Sequence, residues 1–157
     1  MTLMENFPLW AALLAIFLAQ AIKIPLHYFA TRKWVWPLMF STGGMPSSHS
    51  AAVTALTTSI AIEEGFNSTL FAISAIIGVI VMFDAAGVRR HAGMQAVVLN
   101  KLVEEFNHLI QGMKTFKVRP TTEKAKKLKE LLGHQPIEVF MGGWLGIVVA
   151  LVLHPIW

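Results

Sequence analysis

The stretch Ser41-Thr-Gly-Gly-Met-Pro-Ser-Ser-His-Ser50 leads directly into the mostly apolar run Ala51–Ile62. Two glycines allow the backbone to bend, and Pro46 suits the first turn of a helix, where its missing N–H costs nothing. Serine hydroxyls are favoured at a helix start, because the first N–H groups of a helix have no partner within it. The stretch therefore predicts a tight turn that enters an apolar helix.

Such a turn is also a candidate anion site. The N–H groups and the positive end of the helix dipole point at one place, which suits an oxyanion. His49, in the first helical turn, adds a group that can give or take a proton near neutral pH. The alternative is a structural turn into a transmembrane helix, with His49 only an interfacial polar residue.

Composition places the chain in a membrane. Of its 157 residues, 55% are hydrophobic and 14% are charged, and its mean hydropathy of +0.58 is too high for an ordinary soluble domain. The chain has no cysteine, which excludes disulfides and thiolate metal sites. The net charge of +4 indicates charge asymmetry across a bilayer in so apolar a chain, and not binding to nucleic acid.

Four stretches are predicted to span the bilayer, whose core of roughly 30 Å requires about 20 apolar residues as helix. They are about residues 7–29, 46–63, 68–88 and 135–157, and we expect an all-α integral membrane protein with one membrane domain, residues 1–157. Thr54, Thr57, Thr58 and Ser59 of the second span suit close helix packing in lipid.

A basic insertion, residues 89–134, separates the third and fourth spans. Its apolar residues recur in steps of three and four, which predicts an amphipathic helix; the stripe is Leu99, Leu102, Phe106, Leu109 and Met113. We expect this stripe to cap the bundle or to lie on the membrane, with pairing to a second subunit as the alternative. A short helix is predicted over Glu123–Leu132, ending at Gly133.

The distribution of cations predicts the orientation. Every Lys and Arg lies at Lys23, after the first span or in the insertion, whereas the N-terminus, the Glu63-Glu64 turn and the C-terminus have none. The positive-inside rule then puts both termini outside. We expect a multi-pass protein of a bacterial plasma membrane with its active site facing the cytoplasm. The inner ends of the spans would then bring together Lys23, His49, Asp84, Arg89, His134 and Glu138.

His134 and Glu138 have the spacing of a catalytic pair. At i and i+4 on a helix, both side chains lie on one face. A carboxylate bonded to one imidazole nitrogen fixes the tautomer, so that the other nitrogen can act as base or nucleophile. Nearby cations and backbone donors would stabilise a phosphoryl group during transfer. The alternative is an intrahelical pair that caps the last span.

Two further alternatives concern the charged groups. His49, Asp84, His134 and Glu138 could in principle bind a divalent metal, but the surrounding Lys and Arg favour an anion, and we expect no metal and no cofactor. Lys23, which shares a helix face with Gln20 and His27, is a functional candidate because a lysine within a span is costly. Its alternative is snorkelling to the interface.

Three segments, Gly43–Ser50, Asp84–Arg90 and Leu132–Val139, resemble the divergent branch of the type 2 phosphatidic acid phosphatase superfamily, the membrane relatives of vanadium haloperoxidases. The resemblance covers nearly the whole chain. It implies that His134 is the nucleophile that becomes phosphohistidine, with Glu138 orienting it and His49 protonating the leaving oxygen. The phosphate-binding residues that it implies are Lys23, Ser47 and Arg89, with Arg90 as the alternative to Arg89. Gly44 and Ser48 are expected to bind the phosphate through backbone N–H donors.

The predicted function is therefore that of a metal-independent lipid-phosphate phosphatase, which hydrolyses a phosphomonoester or pyrophosphate at the cytoplasmic leaflet. One alternative is a protein that binds or transports a lipid phosphate in the same anion pocket without turnover. Another is a structural subunit whose function lies in the basic insertion. The expected partners are the lipid phosphate and membrane lipids, without nucleic acid. A homodimer is a hypothesis, because four short spans make a small bundle.

Overall fold

The computed structural model describes residues 3–40, 43–112 and 133–157. The regular secondary structure of these residues is entirely helical, without strands. The described residues form the α-helices α1 (Phe7–Thr31), α2 (Ser48–Glu64), α3 (Thr69–Ala86), α4 (Val88–Gly112) and α5 (Pro136–Leu153). Short 3-10 helices lie at Leu3–Glu5, Trp36–Phe40 and His154–Ile156. The predicted all-helical class is confirmed. Ser41, Thr42, Met113 and the helix predicted over Glu123–Leu132 lie outside the described residues.

Polar side chains cap the starts of α1 and α2. The Asn6 side chain accepts a hydrogen bond from the N–H of Leu9 (3.0 Å) at the start of α1. The Ser47 hydroxyl accepts one from the N–H of Ser50 (3.3 Å) at the start of α2. These bonds satisfy N–H groups that have no partner within the helix. The prediction that the serines after Pro46 begin a helix is therefore confirmed.

Helix α2 is the centre of the bundle. It packs against α1, α3 and α5, and every residue from Ser50 to Ile62 is buried or half-buried. Because its neighbours are protein, α2 can carry more hydroxyl side chains than a helix that faces lipid. The hydroxyl of Thr54 donates to the carbonyl of Gly143 in α5 (2.9 Å). The expected role of Thr54 in close helix packing is thus confirmed.

Small residues of α5 allow its close approach to α2. A Cβ at Gly142 would collide with the backbone of Ser47, and one at Gly146 would collide with Thr54 and Ala51. Glycines spaced four apart are a common means of bringing two membrane helices into backbone contact. This Gly-x-x-x-Gly pattern was visible in the sequence, but the sequence analysis did not use it. It sets the distance between the two helices that carry His49 and Glu138.

Three described helical stretches are long and apolar enough to cross a membrane by length and composition: Phe7–Thr31, Thr69–Leu109 and Pro136–Ile156. Helix α2, with 17 residues, is shorter and is not among them. The predicted fourth crossing therefore stays a prediction, whereas the other three predicted spans correspond to helical stretches able to cross a membrane. On α3, large apolar side chains are more than half exposed, as expected of a lipid-facing surface; they include Ile73, Ile76, Ile80 and Phe83.

Helix α4 begins earlier than the amphipathic stripe suggested. The third helix ends at Ala86, Gly87 interrupts the backbone, and α4 starts at Val88. Arg89 and Arg90 consequently lie in a first helical turn and not in a loop, because only one residue separates the two helices. Of the predicted stripe, Leu102, Phe106 and Leu109 are 60–66% exposed. The expectation that this stripe caps the bundle is wrong for these residues, and contact with the membrane stays a prediction.

Candidate active site

A histidine–carboxylate pair lies at the start of α5, with His134 buried and Glu138 half-buried. His134 Nδ1 lies 3.0 Å from Glu138 Oε2, and the two side chains are 3% and 17% exposed. The same Oε2 accepts a hydrogen bond from the N–H of Gln135 (3.0 Å). Glu138 therefore caps the helix and orients the imidazole at once, so the two alternatives for this pair are not exclusive. With Nδ1 directed at the carboxylate, Nε2 is the nitrogen left for chemistry.

Main-chain hydrogen bonds connect this pair to two distant segments. The N–H of His134 donates to the carbonyl of Ala85 at the end of α3 (3.0 Å). The N–H of Ser47, the residue that caps α2, donates to the carbonyl of Glu138 (2.9 Å). Three segments that are far apart in the sequence therefore meet at the backbone of the pair.

His49 lies beside His134. The ring centroids are 6.2 Å apart, and the rings are inclined by 63°. Unlike His134, His49 is exposed. Its imidazole is within electrostatic reach of the charged groups of Lys23, Asp84 and Arg89. The two imidazoles are therefore neighbours, with charged groups of α1, α3 and α4 nearby, but His49 does not line the cavity at His134.

A cavity of about 230 Å³ adjoins His134 and Glu138. Arg90 lines it, but Arg89 does not. The Arg89 guanidinium instead pairs with Asp84, with Nε 2.7 Å from Oδ2. The structure therefore places the alternative arginine at the cavity, while the arginine preferred in the sequence analysis lies at Asp84. The other residues that line the cavity are Gly43, Gly44, Gly93, Met94, Val97, Gly133 and Gln135.

Gly133 explains why Arg90 reaches His134. Its φ of +87° is in the region that favours glycine, and a Cβ there would collide with the backbone of Arg89 and Arg90. The first turn of α4 can pack on the residue before His134 only because that residue has no side chain. The sequence analysis interpreted Gly133 only as a helix stop and so missed this role.

The two serines predicted to bind phosphate have structural contacts. Ser47 is fully buried and Ser48 is 7% exposed. The Ser47 hydroxyl lies 3.1 Å from that of Ser50 and also accepts the N–H that caps α2. Neither serine lines the cavity next to His134, whereas Gly44, with a φ of +90°, does. Gly44 of this stretch therefore lies at the cavity, whereas Ser47 and Ser48 lie at the start of α2 and do not line it.

Lys23 is buried in the protein, with 3% of its surface exposed. Such burial contradicts the snorkelling alternative, in which the ammonium would reach the membrane interface. Lys23 lines a second cavity, of about 550 Å³, together with His27 of the same helix face. The ammonium is also within electrostatic reach of Glu138. Gln20, the third residue of that face, does not line this cavity.

Among the described residues there is no group of three or more His, Asp or Glu placed to hold a metal ion.

Fold and site together define a helical membrane protein with a buried histidine–carboxylate pair beside a small cavity lined by arginine. The chain belongs to the Divergent PAP2 family, whose sequence profile matches residues 4–149. It is similar to the "Uncharacterized membrane protein YuiD" of Bacillus subtilis (strain 168), at 61% identity over 153 residues that cover 98% of this chain and 97% of that protein. No solved structure matches it. The family agrees with the resemblance stated from the three sequence motifs.

Proposed function

We propose that this protein is a membrane lipid-phosphate phosphatase that acts through a phosphohistidine intermediate. The observation that carries the proposal is the position of His134: buried, bonded through Nδ1 to Glu138, beside the ring of His49 and at a cavity lined by Arg90. Membership of the Divergent PAP2 family supports it. The long apolar helices support a lipid as the substrate, because they are long enough to hold the protein in a membrane.

In the first step, the phosphoryl group occupies the cavity with its oxygens near Arg90. Nε2 of His134 attacks phosphorus while the bond from phosphorus to the lipid oxygen breaks. The bonding electron pair leaves with that oxygen, which receives a proton from His49. Glu138 holds the imidazole in the required tautomer and stabilises the positive charge that forms on the ring. Arg90 stabilises the charge on the phosphoryl oxygens.

In the second step, a water molecule gives a proton to His49 and its oxygen attacks the phosphohistidine. The bond between phosphorus and Nε2 breaks, its electron pair returns to His134, and inorganic phosphate leaves. His49 is again protonated for the next cycle. One water is consumed for each phosphate released, and every group returns to its starting state. The scheme needs a nucleophile and a proton carrier close to one phosphorus, and the 6.2 Å between the ring centroids of His134 and His49 supports it.

We also propose that the reaction takes place at the cytoplasmic leaflet. The cations of the site come from α1 and α4, and the remaining Lys and Arg follow α1 or lie in the basic insertion. Under the positive-inside rule these segments face the cytoplasm.

The test uses the purified protein in detergent with phosphatidic acid, phosphatidylglycerophosphate and a prenyl diphosphate, each in EDTA and with or without vanadate. We expect phosphate release from at least one lipid and inhibition by vanadate. His134→Ala should reduce release to background and should lose the acid-labile phosphorylated species that can be trapped on the wild type. His108→Ala, at an exposed position on α4, is the control and should retain both.

Absence of phosphate release from every lipid would contradict the proposal, as would His134→Ala with wild-type activity. Lipid-phosphate binding by the wild type, without release and without a trapped species, would instead support the alternative of a binding or transport protein.

A further inference from the structure

The second half of α4 has an apolar stripe that no other described helix covers. Leu99 is 48% exposed, and Leu102, Phe106 and Leu109 are 60–66% exposed. Among the described helices, the main neighbour of α4 is α3, from which only Gly87 separates it. These four side chains, the α4 stripe, are therefore available for contact with something outside one copy of the chain.

The α4 stripe lies on the side of the helix opposite the candidate active site. Arg90, Gly93 and Val97 share the side of α4 that lines the cavity at His134. With a rotation of about 100° per residue, the stripe projects from α4 roughly opposite to that side. A partner can consequently bind the stripe without entering the cavity.

The charges of this half of α4 suit a lipid surface poorly. Helices that lie on a bilayer usually have a polar face rich in Lys and Arg, which attract anionic lipids. From Val97 to Leu109, α4 has one lysine, Lys101, and two glutamates, Glu104 and Glu105. The 18 residues of α3 already suffice for a crossing, so this polar half of α4 is not needed to complete one. The charge pattern favours a protein partner.

The spacing of the stripe is that of a seam between paired helices. Its four residues are separated by three, four and three positions, as are the a and d positions of a heptad repeat. This order of steps is the same in both directions along the chain. A second α4 that runs antiparallel can therefore place Leu99 opposite Leu109. In the same register Leu102 lies opposite Phe106, so that all four side chains are matched at once.

The residues beside the stripe favour the antiparallel arrangement over a parallel one. Lys101 and Glu105 lie on one flank, with Nζ 3.9 Å from Oε1, and Val103 lies on the other. A two-fold axis between antiparallel helices brings like flanks together. Lys101 of each copy then comes within two residues of the level of Glu105 in the other copy. A parallel pair would instead place this charged flank against Val103.

We propose that two copies of the protein pair through antiparallel α4 helices, about a two-fold axis at the level of Glu104. Both copies have the same orientation in the membrane if this axis is the membrane normal, and α4 then lies along the membrane surface. Anchoring in one bilayer raises the effective concentration of the two stripes, so a short seam is sufficient. The proposal goes beyond the proposed function and does not depend on it.

A crosslinking test is direct because the chain has no cysteine. Differently tagged full-length copies that carry Leu99→Cys and Leu109→Cys are expressed together and oxidised in native membranes. We expect a disulfide between the two variants and none between two copies of either variant alone. Identical positions would be about 15 Å apart along the seam, whereas the Cα atoms of a disulfide are usually within about 7 Å.

The control pair is Asn100→Cys with His108→Cys, which lies at the same level but on the polar side of α4. It should not crosslink. Equal crosslinking of this pair would overturn the proposal by showing random collision. Crosslinks between copies of Leu99→Cys alone would overturn it in favour of a parallel pair. Absence of crosslinks from every combination would also overturn it and would leave the stripe to lipid.

A charge-reversal test measures the contact between copies without turnover. Lys101→Glu and Glu105→Lys are each labelled with donor and acceptor fluorophores, and energy transfer is measured in phosphatidylcholine vesicles. Each variant alone has like charges at both contacts between copies, whereas a mixture has opposite charges. We expect the mixture to associate about tenfold more strongly than either variant alone.

The contact within each helix is the same in the mixture and in the separate variants, so this difference reports only contact between copies. Equal association of all three samples would overturn the antiparallel register. Neither test involves His134 or phosphate release. A protein without phosphatase activity would therefore still show the pairing, and an active phosphatase could fail both tests.

Discussion

The main-chain N–H of Ser47 donates a hydrogen bond of 2.9 Å to the main-chain carbonyl of Glu138. Ser47 caps the helix whose first turn carries His49, and Glu138 orients His134. The relative position of the two imidazoles is consequently set by a backbone contact between α2 and α5, and not by a contact between flexible side chains. A site held in this way needs little rearrangement when a phosphoryl group binds, which favours stabilisation of charge during transfer.

The carboxylate of Glu138 is expected to be required for the first chemical step. Glu138→Gln keeps the shape of the side chain but removes the charge that stabilises the imidazolium. We expect kcat to fall by about 10²- to 10⁴-fold, with helix content by circular dichroism unchanged. Glu105→Gln, at an exposed position of α4, is the matched control. A kcat for Glu138→Gln close to that of the wild type would show that the pair only caps α5.

The two arginines at the start of α4 are expected to differ. Arg90→Ala removes the cationic side chain of a residue that lines the cavity at His134, and we expect kcat/KM to fall by about 10- to 100-fold, as for the loss of a charge-assisted hydrogen bond. Arg89→Ala removes a half-exposed partner of Asp84 and should cost less, because exposed ion pairs contribute little. Steady-state kinetics of the two variants on the same lipid measure the difference. A larger loss at Arg89 would reverse the assignment.

Alanine substitutions at Gly133 and Gly65 distinguish the effect of backbone strain from the effect of a steric collision. Both have positive φ, +87° and +82°, so alanine is strained at either position, at a cost of order 1–3 kcal/mol. Only at Gly133 would the added Cβ also collide with the backbone of Arg89 and Arg90. We expect Gly65→Ala to lower thermal stability in detergent but to retain kcat/KM. Gly133→Ala should lower both, because it displaces Arg90 from His134. Full activity of Gly133→Ala would contradict the packing of α4 on this residue.

Three glycines of α5 form a matched series for the contact between α2 and α5. A Cβ at Gly142 or Gly146 would collide with α2, whereas one at Gly143 would be 3.6 Å from the nearest atom of Thr54, an ordinary contact. We expect Gly142→Ala and Gly146→Ala each to destabilise the protein by about 1–3 kcal/mol, the usual effect of overpacking. Gly143→Ala should be nearly neutral. The midpoints of thermal unfolding in detergent measure these effects, and three equal midpoints would contradict the close approach.

The orientation can be tested by labelling, because the chain has no cysteine of its own. Asn67→Cys lies in the turn between α2 and α3, and Lys101→Cys lies on α4. If α2 crosses the membrane, we expect a membrane-impermeant maleimide to label Asn67→Cys in intact cells and Lys101→Cys only after permeabilisation. Labelling of Lys101→Cys in intact cells would reverse the orientation. Protection of both positions in intact cells would contradict the crossing of α3, the helix that lies between them.

Much of the fold could be predicted from local properties of the sequence. The long apolar runs predicted α1, α3 and α5 within a few residues of their ends, because hydropathy and helix length are properties of consecutive residues. The pairing of His134 with Glu138 was also predicted, but the expected i, i+4 geometry within a helix is wrong, because His134 precedes the N-cap Gln135 and Glu138 reaches back to it from the first turn of α5. Capping of α2 by a serine after Pro46 is equally local.

Contacts between distant segments were decided only by the tertiary structure. Which of two adjacent arginines lines the cavity depends on the rotation of α4, and that rotation depends on its contact with Gly133. The separation of Lys23 from His134 into two cavities depends on where the Gly43-Gly44 loop lies. The central place of α2 depends on its close contact with glycines of α5, more than 80 residues further along the chain. The hydrogen bond from Thr54 to Gly143, for example, joins residues 89 positions apart. Hydropathy and periodicity determined which segments are helices and which residues share a face, whereas close packing of backbones, which has no local signature, determined which faces meet.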